Sequence, residues 1–233
     1  MKNINDAHVL SLGGSLVVPS NGIDTQFLSE FSAFIRKQIS EKNRRFFLVV
    51  GGGSTTRKYQ IAAQKVKGRV LDNDDLDWLG IHATRLNAHM VRVIFRDIAH
   101  SHVIKHYEVI RKVEESLIVA AGWKPGWSTD YCAVTLCQDY NIQSVINMTN
   151  VDQVYNKDPK KHKDAKPMRR ISWKDYCKMA GDEWIPGLNL PFDPVASKLA
   201  RDLSVKVRIL NGKNLKNLAL ALDGKSFKGT TIK

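Results

Sequence analysis

Short apolar runs alternate along the chain with longer stretches whose apolar positions recur every three or four residues. Val9-Leu10-Ser11-Leu12, Phe46 to Val50, Leu117 to Ala121 and Ser144 to Met148 are runs of the first kind. They lack the in-and-out alternation of a half-exposed strand, so they predict strands covered on both faces and hence a parallel sheet. Between them, Phe27, Phe31, Phe34, Ile35 and Ile39 follow a capping Asp24 at helical spacing. Leu79, Ala83, Leu86, Met90 and Val93 mark the apolar stripe of a second long helix, and residues 129–140 read as a third. Pro194 to Asp202 and Asn214 to Leu222 read as helices on either side of a further strand, Val205 to Leu210. Residues 100–115 suit a hairpin and a short helix equally. Strand, loop and helix in repetition predict an α/β fold, a doubly wound and mainly parallel sheet with helices on both faces.

The early strands end in glycine. A glycine at the carboxyl end of a parallel strand lets the backbone approach a ligand, and the next helix offers free N–H groups and a positive dipole end. Phosphate is the natural guest. Three such segments occur: Gly13-Gly14-Ser15, Gly51-Gly52-Gly53, and Gly122-Trp123-Lys124-Pro125-Gly126-Trp127-Ser128-Thr129-Asp130. The run Gly51-Gly52-Gly53-Ser54-Thr55-Thr56-Arg57 has neither the Walker lysine nor a third, spaced glycine. P-loop and Rossmann dinucleotide readings are thereby excluded.

Composition narrows the class. With 233 residues, 43% hydrophobic and 25% charged, the chain is globular and neither collagen-like nor disordered. No run approaches the roughly 18 apolar residues of a membrane span, and the start has no secretory h-region, so a cytoplasmic protein without membrane partners is expected. Cys132, Cys137 and Cys177 form no CxxC pair and read as small buried thiols. The histidines show no ligand spacing with acidic partners, and no structural metal is assigned. The net charge of +13 is uneven: residues 1–155 carry 18 basic and 15 acidic side chains, residues 156–233 carry 18 and 8. The densest run, Lys157, Lys160, Lys161, Lys163, Lys166, Arg169 and Arg170, lacks interleaved aromatics. It suits a small polyphosphate better than nucleic acid.

Taken in order, these segments resemble the amino acid kinase superfamily. They are Leu12-Gly13-Gly14-Ser15, Val49 to Gly53 with Arg57-Lys58-Tyr59, Gly80 to Ala88, Pro125 to Asp130, and Thr149-Asn150-Val151-Asp152 with Tyr155 and Asp158-Pro159. Asp193-Pro194 with Ala196 and Lys198, and Gly229-Thr230-Thr231-Ile232, complete the set. Within the superfamily the chain looks most like the archaeal-type UMP kinases, over about residues 9–232.

The resemblance implies one domain over residues 1–233, with a monophosphate acceptor half at about 1–140 and an ATP half at 141–233. Gly52, Asp77 and the segment Trp123, Lys124, Pro125, Gly126, Trp127, Ser128 and Thr129 match positions that meet UMP. Gly13, Gly14, Gly53 and Arg57 match positions at the ATP phosphates, and Thr149, Asn150, Tyr155 and Asp158 those around the nucleoside. Asp130 matches the aspartate that organises the centre between the nucleotides. The implied reaction carries the γ-phosphoryl group of ATP, with Mg²⁺, to UMP, in a homo-oligomer, a hexamer, serving pyrimidine biosynthesis. The second phosphate pKa of a monophosphate lies near 6, so the acceptor oxygen is already anionic and Asp130 is not needed as a base. This chain departs from the pattern at Ser11 and Ser54, where many relatives carry lysine. Catalysis then falls to Asp130, Arg57 and Lys124, with Lys58 and Lys198 as further cations. The missing lysines keep open a catalytically weak or inactive nucleotide- or oxyanion-binding protein like the molybdenum storage proteins, or another phosphate or carboxylate kinase of the superfamily.

Overall fold

A computed structural model describes residues 6–157, 162–181 and 191–233. Its elements run β1 (Ala7–Leu12), α1 (Gly14–Val17), α2 (Thr25–Lys42), β2 (Arg45–Val50), α3 (Gly53–Lys67), α4 (Asn73–Ile94), β3 (Leu117–Ala120), α5 (Thr129–Asp139) and β4 (Ser144–Thr149). They continue with β5 (Val154–Tyr155), β6 (Pro167–Met168), β7 (Arg170–Ile171), α6 (Trp173–Ala180), α7 (Pro194–Asp202), β8 (Lys206–Asn211), α8 (Leu215–Leu222) and β9 (Thr230–Ile232).

Among the described residues seven strands form one sheet in the order β3-β2-β1-β4-β8-β9-β7. The first five are mutually parallel, β9 runs antiparallel to β8, and β7 runs parallel to β9. The four apolar runs of the sequence are β1 to β4, and their residues are almost completely buried, whereas β8 alternates half-buried Lys206 and Arg208 with buried Val207 and Ile209. Val9, Phe47, Val49, Ile118 and Val145 face the layer of α5, α6 and α7; Leu10, Leu12, Phe46, Leu48 and Val119 face α2, α4 and α8. Alternate residues thus feed two cores, which is why the runs carry no polar alternation.

Side-chain caps start several helices, and the one at Asp24 is the cap the sequence predicts. Asp24 accepts from Phe27 N at 3.0 Å and starts α2, and Ser128 accepts from Tyr131 N at 3.0 Å and starts α5. Asp193 caps α7 with Pro194 at its first turn. Residues 100–115 are neither hairpin nor helix. They pass along the outer edge of β3 as irregular chain, bridged at Ala99 to Leu117 and at Ile104 to Ala120.

The inward face of α4 also differs from the expected stripe. Ile81, Ala83, Thr84, Asn87, Ala88 and Val91 are buried, whereas Leu86 and Val93 are 64% and 59% exposed. The stripe Leu79, Ala83, Leu86, Met90 and Val93 thus runs from the core at Ala83 to the surface at Leu86 and Val93, and two of the residues turned inward, Thr84 and Asn87, are polar and bond to loops.

From β1 the chain steps outward through β2 and β3, then returns to place β4 on the other side of β1. Strand order reverses there. A crevice at the carboxyl ends of β1 and β4 is the ligand position this topology offers.

Candidate functional site

Gly13-Gly14 leaves the end of β1 and Gly51-Gly52-Gly53 the end of β2, and the two loops meet main chain to main chain. Gly51 N donates to Leu12 O at 3.0 Å, and Gly13 N reaches across the reversal point to Met148 O at 2.9 Å. A Cβ on Gly14 would lie 2.1 Å from Gly53 N. Gly53 has φ of 63°, a left-handed conformation that suits glycine, and opens α3. The positive end of this helix therefore faces the crevice. Arg57 and Lys58 lie one turn further on, exposed. Ser54, where a lysine was expected, is 3% exposed, and its Oγ has no hydrogen-bond partner among the described residues.

Asp130, in the first turn of α5, sits in the centre. Its Oδ1 accepts from Ser11 Oγ at 2.9 Å and its Oδ2 from Asp193 N at 3.2 Å. Ser11 therefore supplies a hydroxyl where the resemblance led to the expectation of a lysine. Asp193 is 5% exposed; its Oδ1 accepts from Ala196 N at 2.5 Å, and its Oδ2 is buried without a partner among the described residues. Burial, reinforced by the neighbouring Asp193 carboxylate, pushes the Asp130 pKa up to about 7. Burial likewise raises Asp193 to about 6, against the pull of the helix N–H groups. Both shifts disfavour the charged carboxylates, a penalty that a nearby cation would reduce.

This arrangement sets a pH dependence. Asp130 has an ordinary value of 3.8 and a folded value of about 7, so the folded state binds the proton more tightly. Below 3.8 both states are protonated and folding carries no penalty; the penalty grows as the pH rises and is complete above about 7. Asp193 adds in the same sense up to about 6. For the unliganded protein, Asp130→Asn is expected to gain Tm relative to wild type between pH 5 and pH 8. Parallel Tm curves for the two proteins over that range would remove Asp130 from the account.

The segment from Gly122 to Thr129 forms the opposite wall. Trp123 is buried and meets Trp127 edge to face, with centroids 4.6 Å apart, while Trp127 meets Tyr131 at 4.4 Å and Tyr107 lies 5.9 Å from Trp123. Lys124 is exposed, its Nζ 4.1 Å from the Trp123 ring centroid and 5.2 Å from that of Trp127. Pro125 and Gly126 make the turn, with Gly126 at φ 79°. Asp77 projects from α4 to this turn, and its Oδ2 accepts from Gly126 N at 2.7 Å. Asp77 and the loop, paired by resemblance alone, are thus in direct contact.

The other expected donor residues lie at the carboxyl end of β4. Thr149 ends the strand and accepts through its carbonyl from Gly212 N at 2.9 Å, Asn150 is exposed, and Tyr155 is half-buried in the β5–β6 ribbon. Asp158, with Pro159, Lys160 and Lys161, lies outside the described residues. A cavity of about 510 Å³ adjoins, lined by Asp152, Asn211, Lys213, Lys216 and Lys228 among others. Lys213 pairs with Asp24 at 3.0 Å and Lys228 with Asp152 at 2.5 Å. Cys132 and Cys137 are buried, and burial pushes the Cys132 thiol up to about 12, as suits inert packing residues.

Several residues of the site carried no assigned role in the sequence. Asp193 appears there only within the Asp193-Pro194 segment of the resemblance, and in the structure it caps α7. Thr84, Arg85 and Asn87 belong to the Gly80 to Ala88 segment, and the signal available for them was a pair of uncharged polar residues inside a helix otherwise patterned for burial.

The amino acid kinase family model matches residues 7–211. Over 231 residues the chain is 32% identical to a uridylate kinase of Thermoplasma volcanium, covering 98% of each. A uridylate kinase of Pyrococcus abyssi is 30% identical, covering 96% of this chain and 98% of its own. Among solved structures, the uridylate kinase of Archaeoglobus fulgidus superposes with a TM-score of 0.81 at 30% identity, over 98% of this chain and all of the other. A UMP kinase of Bacillus anthracis, 18% identical, shares the fold with a TM-score of 0.76.

Proposed function

The chain belongs to the amino acid kinase family, and from that premise we propose that it transfers the γ-phosphoryl group of ATP to UMP, giving ADP and UDP. The observation that carries this reading is end-to-end similarity to uridylate kinases, at 30% identity or more, in a chain whose two glycine loops meet at the sheet's reversal point.

The chemistry asks for alignment and positive charge. Donor phosphates lie against Gly13, Gly14, Gly53 and the start of α3, with Arg57 one turn along. Mg²⁺ enters with ATP as part of the donor substrate and offsets phosphate charge. The acceptor phosphate approaches from the wall formed by Gly52 and residues 123–129, already anionic at pH 7, so no residue need remove a proton. Asp130, raised to about 7 and held by Ser11, positions groups between the two nucleotides. Thr149, Asn150, Tyr155 and Asp158 are assigned to the donor nucleoside.

Coupled-assay turnover with UMP, CMP and dUMP tests the reading: Mg²⁺-dependent ADP formation with UMP is expected. Absence of turnover with every monophosphate, alongside Mg-ATP binding, would instead favour a nucleotide- or oxyanion-holding protein. The serines at 11 and 54, with Ser54 Oγ buried and unpartnered among the described residues, are the observations on that side.

Asp77 is assigned to the acceptor's sugar. One carboxylate oxygen already fixes Gly126, and the carboxylate as a whole accepts from hydroxyl donors. Asp77→Asn is expected to raise the KM for UMP at least tenfold with less than a threefold change for ATP. Equal changes in both constants would make Asp77 a structural residue of the turn.

Assembly as a homohexamer in the cytoplasm, within pyrimidine nucleotide synthesis, completes the proposal. Leu86 and Val93 on α4 with Ile61 and Val66 on α3 supply exposed apolar surface for subunit contact. Among the described residues no helix is long and apolar enough to cross a membrane. Light scattering at micromolar concentration is expected to give a mass several times 26.3 kDa; a purely monomeric species rejects this part.

A further inference from the structure

Direct pairing between β2 and β3 ends at Val49 and Ala120. Beyond that point the Gly51-Gly52-Gly53 loop and the acceptor loop that starts at Gly122 have left the sheet ladder, yet phosphoryl transfer requires a fixed distance between them. One turn of α4 spans the interval. Asn87, 4% exposed, uses both amide hydrogens, donating from Nδ2 to Gly51 O at 2.9 Å and Gly52 O at 3.0 Å. Thr84 Oγ1 accepts from Gly122 N at 2.9 Å while donating to Ile81 O at 2.7 Å. Arg85 forks over the same loop, Nε donating to Gly122 O at 3.2 Å and Nη2 to Trp123 O at 2.7 Å. A helix face that served packing alone would carry apolar side chains here, as it does at Ala88 and Val91.

We propose that Thr84, Arg85 and Asn87 are positioning residues, a clamp on α4 that fixes the acceptor loop against the triple-glycine loop; the proposal rests on the phosphoryl-transfer reading above. The three bond main-chain groups of the loops, so their action on the reaction runs through loop placement. Displacement of a reacting group by about an ångström costs on the order of a hundredfold in rate.

Arg85→Ala and Asn87→Ala are each expected to lower kcat by about ten- to a hundredfold, with the KM for UMP and for Mg-ATP changed less than about threefold. The double variant separates a clamp from two independent struts. Once either anchor is lost the spacing is already undefined, so the double loss is expected to fall well short of the product of the single losses. A double loss equal to that product, or wild-type kcat in either single variant, overturns the proposal. Where the alanine variants fold poorly, Arg85→Gln and Asn87→Ser keep part of the donor set and permit the same cycle. Amide exchange of the ligand-free protein gives a readout independent of the substrate. Asn87→Ala is expected to speed exchange in residues 122–126 as well as in 51–53, and acceleration confined to 51–53 also overturns the clamp. If the wild type phosphorylates no monophosphate, the functional reading falls while the exchange measurement still decides the clamp.

Discussion

Gly14→Ala is expected to lower kcat at least a hundredfold and to lower Tm by several degrees. The added Cβ would sit 2.1 Å from Gly53 N, 2.6 Å from Gly51 C and 2.7 Å from Gly52 N. All three are main-chain atoms, which cannot rotate away as a side-chain tip would, so one glycine loop must move off the other. Overpacking of this kind costs about 1–3 kcal/mol in stability. The larger effect is on rate, because the loops forced apart are those assigned to the donor and acceptor phosphates, and misplacement by an ångström costs about 10². Gly68→Ala is the control. It also meets strain, at φ 68° in the C-cap of α3, but nothing lies within 4 Å of its Cβ and it is far along α3 from the crevice. It is expected to lose about 1 kcal/mol of stability with kcat unchanged. A Gly14→Ala enzyme with kcat within threefold of wild type would show that the contact of the two loops is incidental to the reaction.

The parallel strands were legible because each is covered on both faces, and a run such as Phe46 to Val50 has no polar residue to mislead. The glycine loops were legible for a related reason: the backbone contact between Gly14 and Gly53 excludes any side chain, so these turns are written directly in glycine. What escaped was structure made by polar pairing across long separations. The inward face of α4 is marked by Thr84 and Asn87, whose burial is offset by loop main-chain groups 35 to 38 residues away in the chain, and hydrophobic periodicity registers neither. The Asp130–Asp193 pair spans 63 residues, and its second member caps α7. Strands β7 and β9, two and three residues long, are too short to show a period. The 100–115 segment holds its place through isolated bridges and the Tyr107 hydroxyl on Ala121 O at 3.0 Å, which no repeating pattern announces.

Lys124→Met is expected to lower kcat by 10²- to 10³-fold while leaving ATP binding within a few-fold. Transfer between two polyanions needs a cation near the migrating group, and removal of one such electrostatic contact commonly costs that much. Ser11 is committed to Asp130 and Ser54 is neutral and buried, so neither supplies it. Lys124 lies on the loop proposed to meet the acceptor, exposed, with its ammonium over the rings of Trp123 and Trp127. A cation–π contact at an exposed site is worth about 0.5–1 kcal/mol, whereas a charge-assisted hydrogen bond to phosphate is worth about 1.5–3 kcal/mol. On these magnitudes the proposed acceptor phosphate is expected to draw the ammonium from the rings. Methionine keeps the length and the contact with the indoles but removes the charge, so fold and loop conformation are preserved and the change reads out as rate. Lys198→Met, on α7, is expected to cost less, because that position lies outside the proposed acceptor loop. Full activity in Lys124→Met with loss in Lys198→Met would move the cationic role to α7.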